Sequence, residues 1–246
     1  MAEVIDFKDI IKRLRDDSEY YGEYGSQFLH NSDIYSLLNN PQSFRQREET
    51  TALLYGRAFH ELVMFNEYNE PVAEASTRNT NVYKNMVSEN GGGMLLLKKE
   101  YDDIVALRKK AYSNNMFKST MDSVLSFEEP NVAELTDNKI MWACKADLIT
   151  EKYVYDIKTT SSLIGFRKSS RNYNYDSQAY IYSTMFQKPM RFLVVEKGTG
   201  CVGLFDVSDD AYERGREKVI KAEEIYTQYY TNGDANVKDH YIHESI

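Results

Sequence analysis

The sequence has little cysteine, no long apolar run and no excess of positive charge. Its two cysteines, Cys144 and Cys201, lie in strand-like runs, and we expect two buried free thiols in a reducing cytosol rather than a disulfide. Two cysteines also exclude a four-cysteine iron–sulfur cluster. No apolar run approaches the roughly 18 residues that a membrane span needs, and the first residues lack the apolar core of a signal peptide. We therefore expect a cytoplasmic protein without a membrane partner.

The charge balance is acidic: 38 Asp and Glu against 30 Lys and Arg give a net charge of −8. This argues against a protein that coats nucleic acid without specificity, because such a protein would be basic. An enzyme that acts on DNA can still concentrate its cations in one groove. The segment Phe166–Tyr175 offers such a place, since it contains Arg167, Lys168 and Arg171 and no acidic residue. The alternative for this cluster is a solvated loop, the commoner fate of a charged run.

Two strand-like runs, Ile140–Ile149 and Tyr153–Lys158, flank a polar break at residues 150–152. This pattern predicts an antiparallel hairpin. If residues 151 and 152 form a two-residue turn, Asp147 lies directly across from Asp156. Facing residues of one sheet surface have Cβ atoms roughly 4.5–5.5 Å apart.

The chemistry of this hairpin depends on Asp147, Asp156 and Lys158. Asp156 and Lys158 are two positions apart, so both side chains leave the same face of the strand. Two carboxylates this close repel each other unless a cation lies between them, and hard oxygen ligands suit Mg²⁺ or Mn²⁺. The adjacent ammonium can hold a water molecule or a phosphate oxygen. In outline this is the site of a metal-dependent phosphodiesterase.

A preceding strand near residues 132–135 could add a further carboxylate. If Asp137 and Asn138 form a two-residue turn, Glu134 faces Met141, which shares its sheet face with Asp147. A slip of one residue in this turn would move Glu134 to the other face. An exposed residue at the edge of the sheet is an equal alternative for Glu134.

The remaining pattern predicts one α/β domain at 31–230, preceded by a helical arm at 1–30 and followed by a polar tail at 231–246. Residues 74–93 are polar and predict a surface loop. A second hairpin is predicted from Arg191–Glu196 and Cys201–Asp206. Helical spacing is found at 1–20, 31–38, 50–65, 94–113, 172–187 and 209–230.

The spacing of Asp147, Asp156 and Lys158, D-x8-D-x-K, resembles that of the PD-(D/E)xK nuclease superfamily. The segment NYNYDSQAYIY at 172–182 resembles the helix that follows this strand in phage-type exonucleases of the exonuclease VIII family. Upstream, NSDIYSLLNNPQSF and LLYGRAFHELVMF resemble the N-terminal pattern of the same family. The likeness spans most of 31–230. It implies an α/β fold with a restriction-endonuclease-like core, a central mixed β-sheet flanked by helices.

The resemblance also implies roles for individual residues. Metal ligands would be Asp147, Asp156 and the backbone carbonyl of Ile157, with His60 and Glu134 helping to place a second ion; a hydrogen-bonded core histidine is the alternative for His60. Lys158 would position the nucleophile or neutralise charge on the phosphate. The metal would be Mg²⁺, with Mn²⁺ as a substitute. The residues implied in orienting water or contacting DNA are Tyr175, Gln178, Tyr182, Arg167, Lys168 and Arg171.

The function implied is a Mg²⁺-dependent exodeoxyribonuclease that acts on double-stranded DNA ends and degrades one strand, 5′ to 3′, to generate single strand for recombination. The family forms rings, so we expect a homo-oligomer with a single-strand annealing protein as partner, in the host cytoplasm if a phage encodes it. Iron–sulfur relatives that share the D-x-K core are disfavoured by the cysteine count. A catalytically silent DNA-binding or assembly module with the same fold is the alternative from another class.

Overall fold

A computed structural model of the protein describes residues 7–46, 48–231 and 235–241, so the ends of the predicted arm and tail lie outside the described residues. The helices are α1 (Phe7–Leu14), α2 (Asp17–Tyr20), α3 (Asn31–Asn39), α4 (Thr51–Phe65), α5 (Asn81–Glu89), α6 (Lys98–Tyr112), α7 (Asn115–Asp122), α8 (Phe166–Asn172), α9 (Tyr175–Phe186) and α10 (Asp209–Tyr226). The strands are β1 (Val72–Ala73), β2 (Leu96–Leu97), β3 (Ser126–Glu134), β4 (Met141–Ile149), β5 (Val154–Thr160), β6 (Met190–Glu196) and β7 (Val202–Asp206).

A mixed five-stranded sheet with the order β3-β4-β5-β6-β7 forms the centre of the protein. Only β5 and β6 are parallel, and the other neighbours are antiparallel. Helices α3, α9 and α10 pack on one face of the sheet, and α4, α6 and α7 pack on the other, each over a separate apolar cluster. The expected central mixed sheet flanked by helices is confirmed. None of the helices in the described ranges has the length and apolar character that crossing a bilayer requires.

The predicted hairpin registers are also confirmed. The Thr150 N–H donates to the Tyr153 carbonyl at 3.0 Å, which closes the turn between β4 and β5. Leu148 then pairs with Tyr155, and this register places Asp147 across from Asp156. The backbone pairing of β4 with β5 covers only two residue pairs. The two strands therefore separate where the predicted acidic residues begin.

The N-terminal segment packs on the sheet instead of extending away as an arm. Leu29 forms an isolated parallel bridge with Trp142 of β4. Its N–H donates to the Met141 carbonyl at 3.0 Å, and its carbonyl accepts from the Ala143 N–H at 2.8 Å. Helices α1 and α2 cover an apolar cluster that includes Leu14. The segment before residue 31 therefore contains the helices α1 and α2, and they pack against β3 and β4 of the sheet.

Two further expectations differ from the structure. The polar stretch at 74–93 contains α5, which begins after Thr80, whose hydroxyl accepts from the Tyr83 N–H. Tyr83 is the one buried residue of this helix, so a short polar helix with a single apolar anchor had little periodicity to reveal it. Both cysteines are free, but only Cys144 is buried, since Cys201 lies exposed beside the turn that precedes β7.

The close contact of α9 with α10 depends on Gly215. A Cβ atom on Gly215 would lie 2.2 Å from the Asp176 carbonyl oxygen, and backbone cannot yield as a flexible side chain can. We expect Gly215→Ala to lower the free energy of unfolding by about 1–3 kcal/mol, because it forces the helices apart. Gly56→Ala in α4 is the matched control, since nothing lies within 4 Å of its added Cβ. That variant should gain about 0.5–1 kcal/mol from helix propensity.

Urea denaturation of the two glycine variants measures this difference. Equal or greater stability of Gly215→Ala relative to the wild type would contradict the tight contact between α9 and α10.

Candidate active site

The candidate site lies where β4 and β5 separate. The carboxylate of Asp147 accepts a hydrogen bond from the Ile157 N–H at 2.7 Å, in the place where a backbone carbonyl of β4 would otherwise accept it. The N–H and C=O of one strand residue point to the same side, so the Ile157 carbonyl also faces β4. The gap thus brings Asp147 close to the backbone carbonyl of Ile157, which was predicted as a metal ligand.

Asp156 is buried in the wall of this gap, with 3% of the residue exposed. Its Oδ1 accepts a hydrogen bond from Gln178 Nε2 at 2.5 Å. Its Oδ2 lies 2.6 Å from Lys158 Nζ in an ion pair. Apart from this ammonium, no donor in the described ranges satisfies Oδ2. Gln178 therefore holds one oxygen of Asp156, and the other oxygen faces the ammonium of Lys158, with which a bound cation would have to share it.

Lys158 provides the ammonium of the site. Burial alone would lower the pKa of Lys158, but the negative charge of Asp156, assisted by Asp147, outweighs it and raises the pKa above the usual value. The ammonium lies 5.0 Å from the centre of the Tyr175 ring, which flanks it at the start of α9. Lys158 is therefore a charged, positioned group next to both carboxylates.

Helix α4 brings His60 to the same gap. The helix begins after Thr50, whose hydroxyl accepts from the Leu53 N–H. His60 Nδ1 then lies 3.5 Å from Asp147 Oδ2, and 22% of its side chain is exposed. The structure thus places His60 against the predicted metal ligand, whereas the alternative was a histidine within the apolar core.

Glu128 is a site residue that the sequence reasoning missed. The β3–β4 register places it directly across from Asp147, between the pairs Phe127–Leu148 and Glu129–Ala146. Its φ of +48° is a left-handed conformation that costs a non-glycine residue about 1–3 kcal/mol. Burial, and then the charge of Asp147, raise the pKa of Glu128 to about 8. The predicted turn at 137–138 could have identified Glu128, because the register that it sets places position 128 opposite position 147.

The N-terminal segment reaches this acidic group through Lys145. The ammonium of this buried lysine contacts the Asp17 carboxylate and lies 3.7 Å from Glu128 Oε2. The Tyr20 ring covers it at 5.4 Å. A second cation thus offsets part of the negative charge, and α2 supplies its counter-ion.

Two predicted residues lie elsewhere. Glu134 faces Met141, as the turn predicted, but it is exposed and six residues from Glu128, about 20 Å along the strand. A shared face does not imply a shared location, so Glu134 is not part of this site. Tyr182 is buried, and its hydroxyl donates to the Lys145 carbonyl at 3.1 Å. It therefore supports β4 and presents no surface to DNA.

The predicted cationic cluster lies on the helix α8 instead of in a loop. Arg167, Lys168 and Arg171 are all exposed on this helix. None of the three forms an ion pair with another residue of the described ranges. The helix begins six residues after the end of β5, so its positive charge lies on the segment that leaves the candidate site.

The oxygen ligands of the site suit Mg²⁺, which keeps several bound waters, better than a metal whose ligands all come from the protein. Within the described ranges, no three His, Cys, Asp or Glu side chains converge as a preformed metal site. Mg²⁺ usually keeps several waters and binds through one or two carboxylates. The carboxylates of Asp156 and Asp147 and the carbonyl of Ile157 match that requirement.

The acidic residues of the site predict a pH-dependent effect of magnesium on stability. Burial and the charge of Asp156 raise the pKa of Asp147 to about 6, and the pKa of Glu128 is about 8. Both pKa values exceed those of the same carboxyl groups in the unfolded chain. Protonation of the two groups therefore stabilises the folded protein fully below about pH 4, and this stabilisation is lost as the pH rises through 6 and 8. Since Mg²⁺ favours the ionised carboxylates, it should raise the melting temperature more at pH 8.5 than at pH 5.

Melting curves at both pH values, with MgCl₂ or EDTA, measure this effect. The variant Asp147→Asn should lose most of the pH-dependent response to Mg²⁺. An equal effect of Mg²⁺ at the two pH values in the wild type would contradict the prediction.

Comparison with known proteins shows the fold and the family of this chain. A candidate exonuclease from Eubacterium rectale shares the fold, with a TM-score of 0.65 and 14% sequence identity over 94% of this chain and 95% of its own. A phage-related exonuclease from Haemophilus somnus aligns with a TM-score of 0.36 and 12% identity over 82% and 94% of the two chains. Comparison with curated proteins gave no match. A family model described as a PDDEXK-like domain of unknown function (DUF3799) matches residues 31–235, and this chain therefore belongs to that PDDEXK-like family.

Proposed function

We propose that the protein is a Mg²⁺-dependent exodeoxyribonuclease that degrades one strand of linear double-stranded DNA, 5′ to 3′, to provide single strand for recombination. The family and the fold support a nuclease. The observation that carries the proposal is the group formed by the buried Asp147 and Asp156 with Lys158 where β4 and β5 separate, with Asp156 Oδ2 2.6 Å from Lys158 Nζ. The exonuclease name of the Eubacterium rectale protein supports the finer assignment to exonucleases.

Each site residue has a defined task in this proposal. Asp147, Asp156 and the Ile157 carbonyl would hold Mg²⁺, which when bound supplies Lewis-acid stabilisation of the phosphate and a water of lowered pKa. Lys158 holds the attacking water or neutralises the charge that develops on the phosphate. Gln178 keeps Asp156 in its orientation through the hydrogen bond to Oδ1.

The wall of the site has supporting roles. The Tyr175 ring lies on one side of the Lys158 ammonium, 5.0 Å from it, and limits its movement. His60 lies 3.5 Å from Asp147 Oδ2 and limits the movement of that carboxylate. Beyond the cut, the α8 cations would contact phosphates, which positions a DNA strand without reading its sequence. A local cationic helix on an acidic protein limits DNA binding to one surface.

Digestion of linear duplex DNA with a label at either the 5′ or the 3′ end tests the proposal. We expect release of labelled mononucleotides from the 5′ end first, only with MgCl₂ or MnCl₂, and no reaction in EDTA. Covalently closed circular duplex is the matched control and should resist cleavage. Absence of hydrolysis at any Mg²⁺ or Mn²⁺ concentration, with DNA binding retained, would favour a catalytically silent module with this fold.

The proposal includes assembly into a homo-oligomeric ring and cooperation with a single-strand annealing protein, as the family resemblance implies. A ring around duplex DNA would keep the enzyme on its substrate through many cuts. Light scattering during gel filtration measures the oligomer, and a mixture with the annealing protein on resected DNA measures the cooperation. A monomer that releases DNA after each cut would argue against the ring.

A further inference from the structure

Two strongly exposed apolar side chains flank the cationic helix α8. Ile164, just before the helix, is 98% exposed, and Tyr173, just after it, is 66% exposed. Single exposed apolar residues are common and need no explanation. Here two of them border the same short helix, which also presents three cations and begins soon after the strand of Asp156 and Lys158.

The exposure of Ile164 is imposed by its neighbours. The Leu163 N–H donates to Glu196 Oε1 at 3.0 Å, which fixes the chain on one side. On the other side Phe166 is buried, with its ring 4.6 Å from that of Phe205. Positions 163 and 166 are thus held by contacts with the domain, while the side chain of Ile164 points into solvent.

Tyr173 connects this surface to the candidate site. Its ring lies 6.0 Å from the ring of Tyr175, which in turn lies 5.0 Å from Lys158 Nζ. A base next to the phosphate held at Lys158 could therefore reach Tyr173. Aromatic rings beside a positively charged track are the usual means of binding unpaired nucleic acid, since every base can stack on a ring.

We propose that Tyr173 and Ile164 bind the bases of an unpaired DNA strand, so that the nucleotides next to the cut are held single-stranded while the α8 cations contact their phosphates. This inference rests on the proposed function, because it specifies that the DNA strand in contact with α8 is unpaired. In duplex DNA the bases are stacked on each other and cannot contact these two side chains. The enzyme would therefore favour ends with a few unpaired nucleotides over fully paired ends.

Binding of fluorescent oligonucleotides tests this assignment. The probes carry 2-aminopurine near the 5′ end and uncleavable phosphorothioate linkages, either in a blunt duplex or with a short unpaired 5′ end, in buffer with CaCl₂. We expect tighter binding of the unpaired end and quenching of its 2-aminopurine by stacking. Tyr173→Ala should weaken that binding about tenfold and remove the quenching. Tyr173→Phe keeps the ring and should behave as the wild type.

Ile164→Ala should reduce the preference for unpaired ends, whereas Val82→Ala, an exposed apolar residue on α5, is the matched control and should not. Unchanged binding and quenching in Tyr173→Ala would overturn the inference while leaving the nuclease proposal intact. No binding of any DNA by the wild type would overturn both. A changed oligomeric state in Ile164→Ala, with DNA binding unaltered, would assign this surface to a contact between copies instead.

Discussion

Replacement of Asp156 with alanine is expected to lower the rate of DNA hydrolysis by at least about 10³-fold, the scale of losing a central electrostatic group of an active site. In the proposed function the side chain is a metal ligand, and in the structure it is the counter-ion of Lys158 and the acceptor for Gln178. All three functions depend on one carboxylate. The measurement is the initial rate of nucleotide release from linear duplex at saturating Mg²⁺.

The matched control is Asp206→Ala, which removes an aspartate from the end of β7, where 73% of the side chain is exposed. Its hydrolysis rate should stay within twofold of the wild type, since surface changes of this kind alter stability by roughly 0.5 kcal/mol or less. Folding of both variants is followed through the single tryptophan, Trp142, whose buried indole N–H donates to Glu223 at 2.6 Å. A folded Asp156→Ala that retains more than a tenth of the activity would disprove the assigned role.

Replacement of Lys158 with methionine is expected to lower kcat by about 10²–10³-fold, because the ammonium acts on the developing charge in the transition state. This substitution leaves both carboxylates in place and removes the positive charge that competes with Mg²⁺ for Asp156 Oδ2. The two active-site variants should therefore differ in metal binding. Mg²⁺ should still raise the melting temperature of Lys158→Met, and by more than in the wild type, but not that of Asp156→Ala.

An exposed lysine on α5 provides the control for this experiment, since Lys84→Met removes a surface charge from a helix that contributes no residue to the candidate site. It should change neither kcat nor the effect of Mg²⁺. Loss of the Mg²⁺ effect in Lys158→Met would show instead that the lysine is needed to assemble the metal site, and its role in the chemical step would be withdrawn.

The central part of the fold could be predicted because local signals determine it. The turn at 151–152 alone fixes the pairing of Leu148 with Tyr155 and hence the positions of Asp147 and Asp156. The same holds for the hairpin of β6 and β7. Side-chain alternation along β5 then places Lys158 beside Asp156. These steps need only short-range geometry, in which one residue of register decides the outcome.

The remaining site residues depend on contacts that local patterns do not specify. Glu128 takes a left-handed conformation inside a strand, and periodicity assumes regular backbone. Tyr182 shares one face of α9 with Gln178, as its spacing predicts, but its hydroxyl donates to the backbone of β4 instead of facing DNA. The ion pair of Lys145 with Asp17 joins positions far apart in the chain, so neither residue carries a recognisable sign of the other.

The packing of the first helices on β4 has a consequence for synthesis. Asp17 and Lys145 are 128 positions apart, and a ribosome adding about 5–20 residues per second needs roughly 6–25 s to span that interval. During this time α1 and α2 have no sheet to cover, and the candidate site has neither Asp156 nor Gln178. The N-terminal helices therefore wait for their partner strand, and the candidate site comes together only after position 178 has been added to the growing chain.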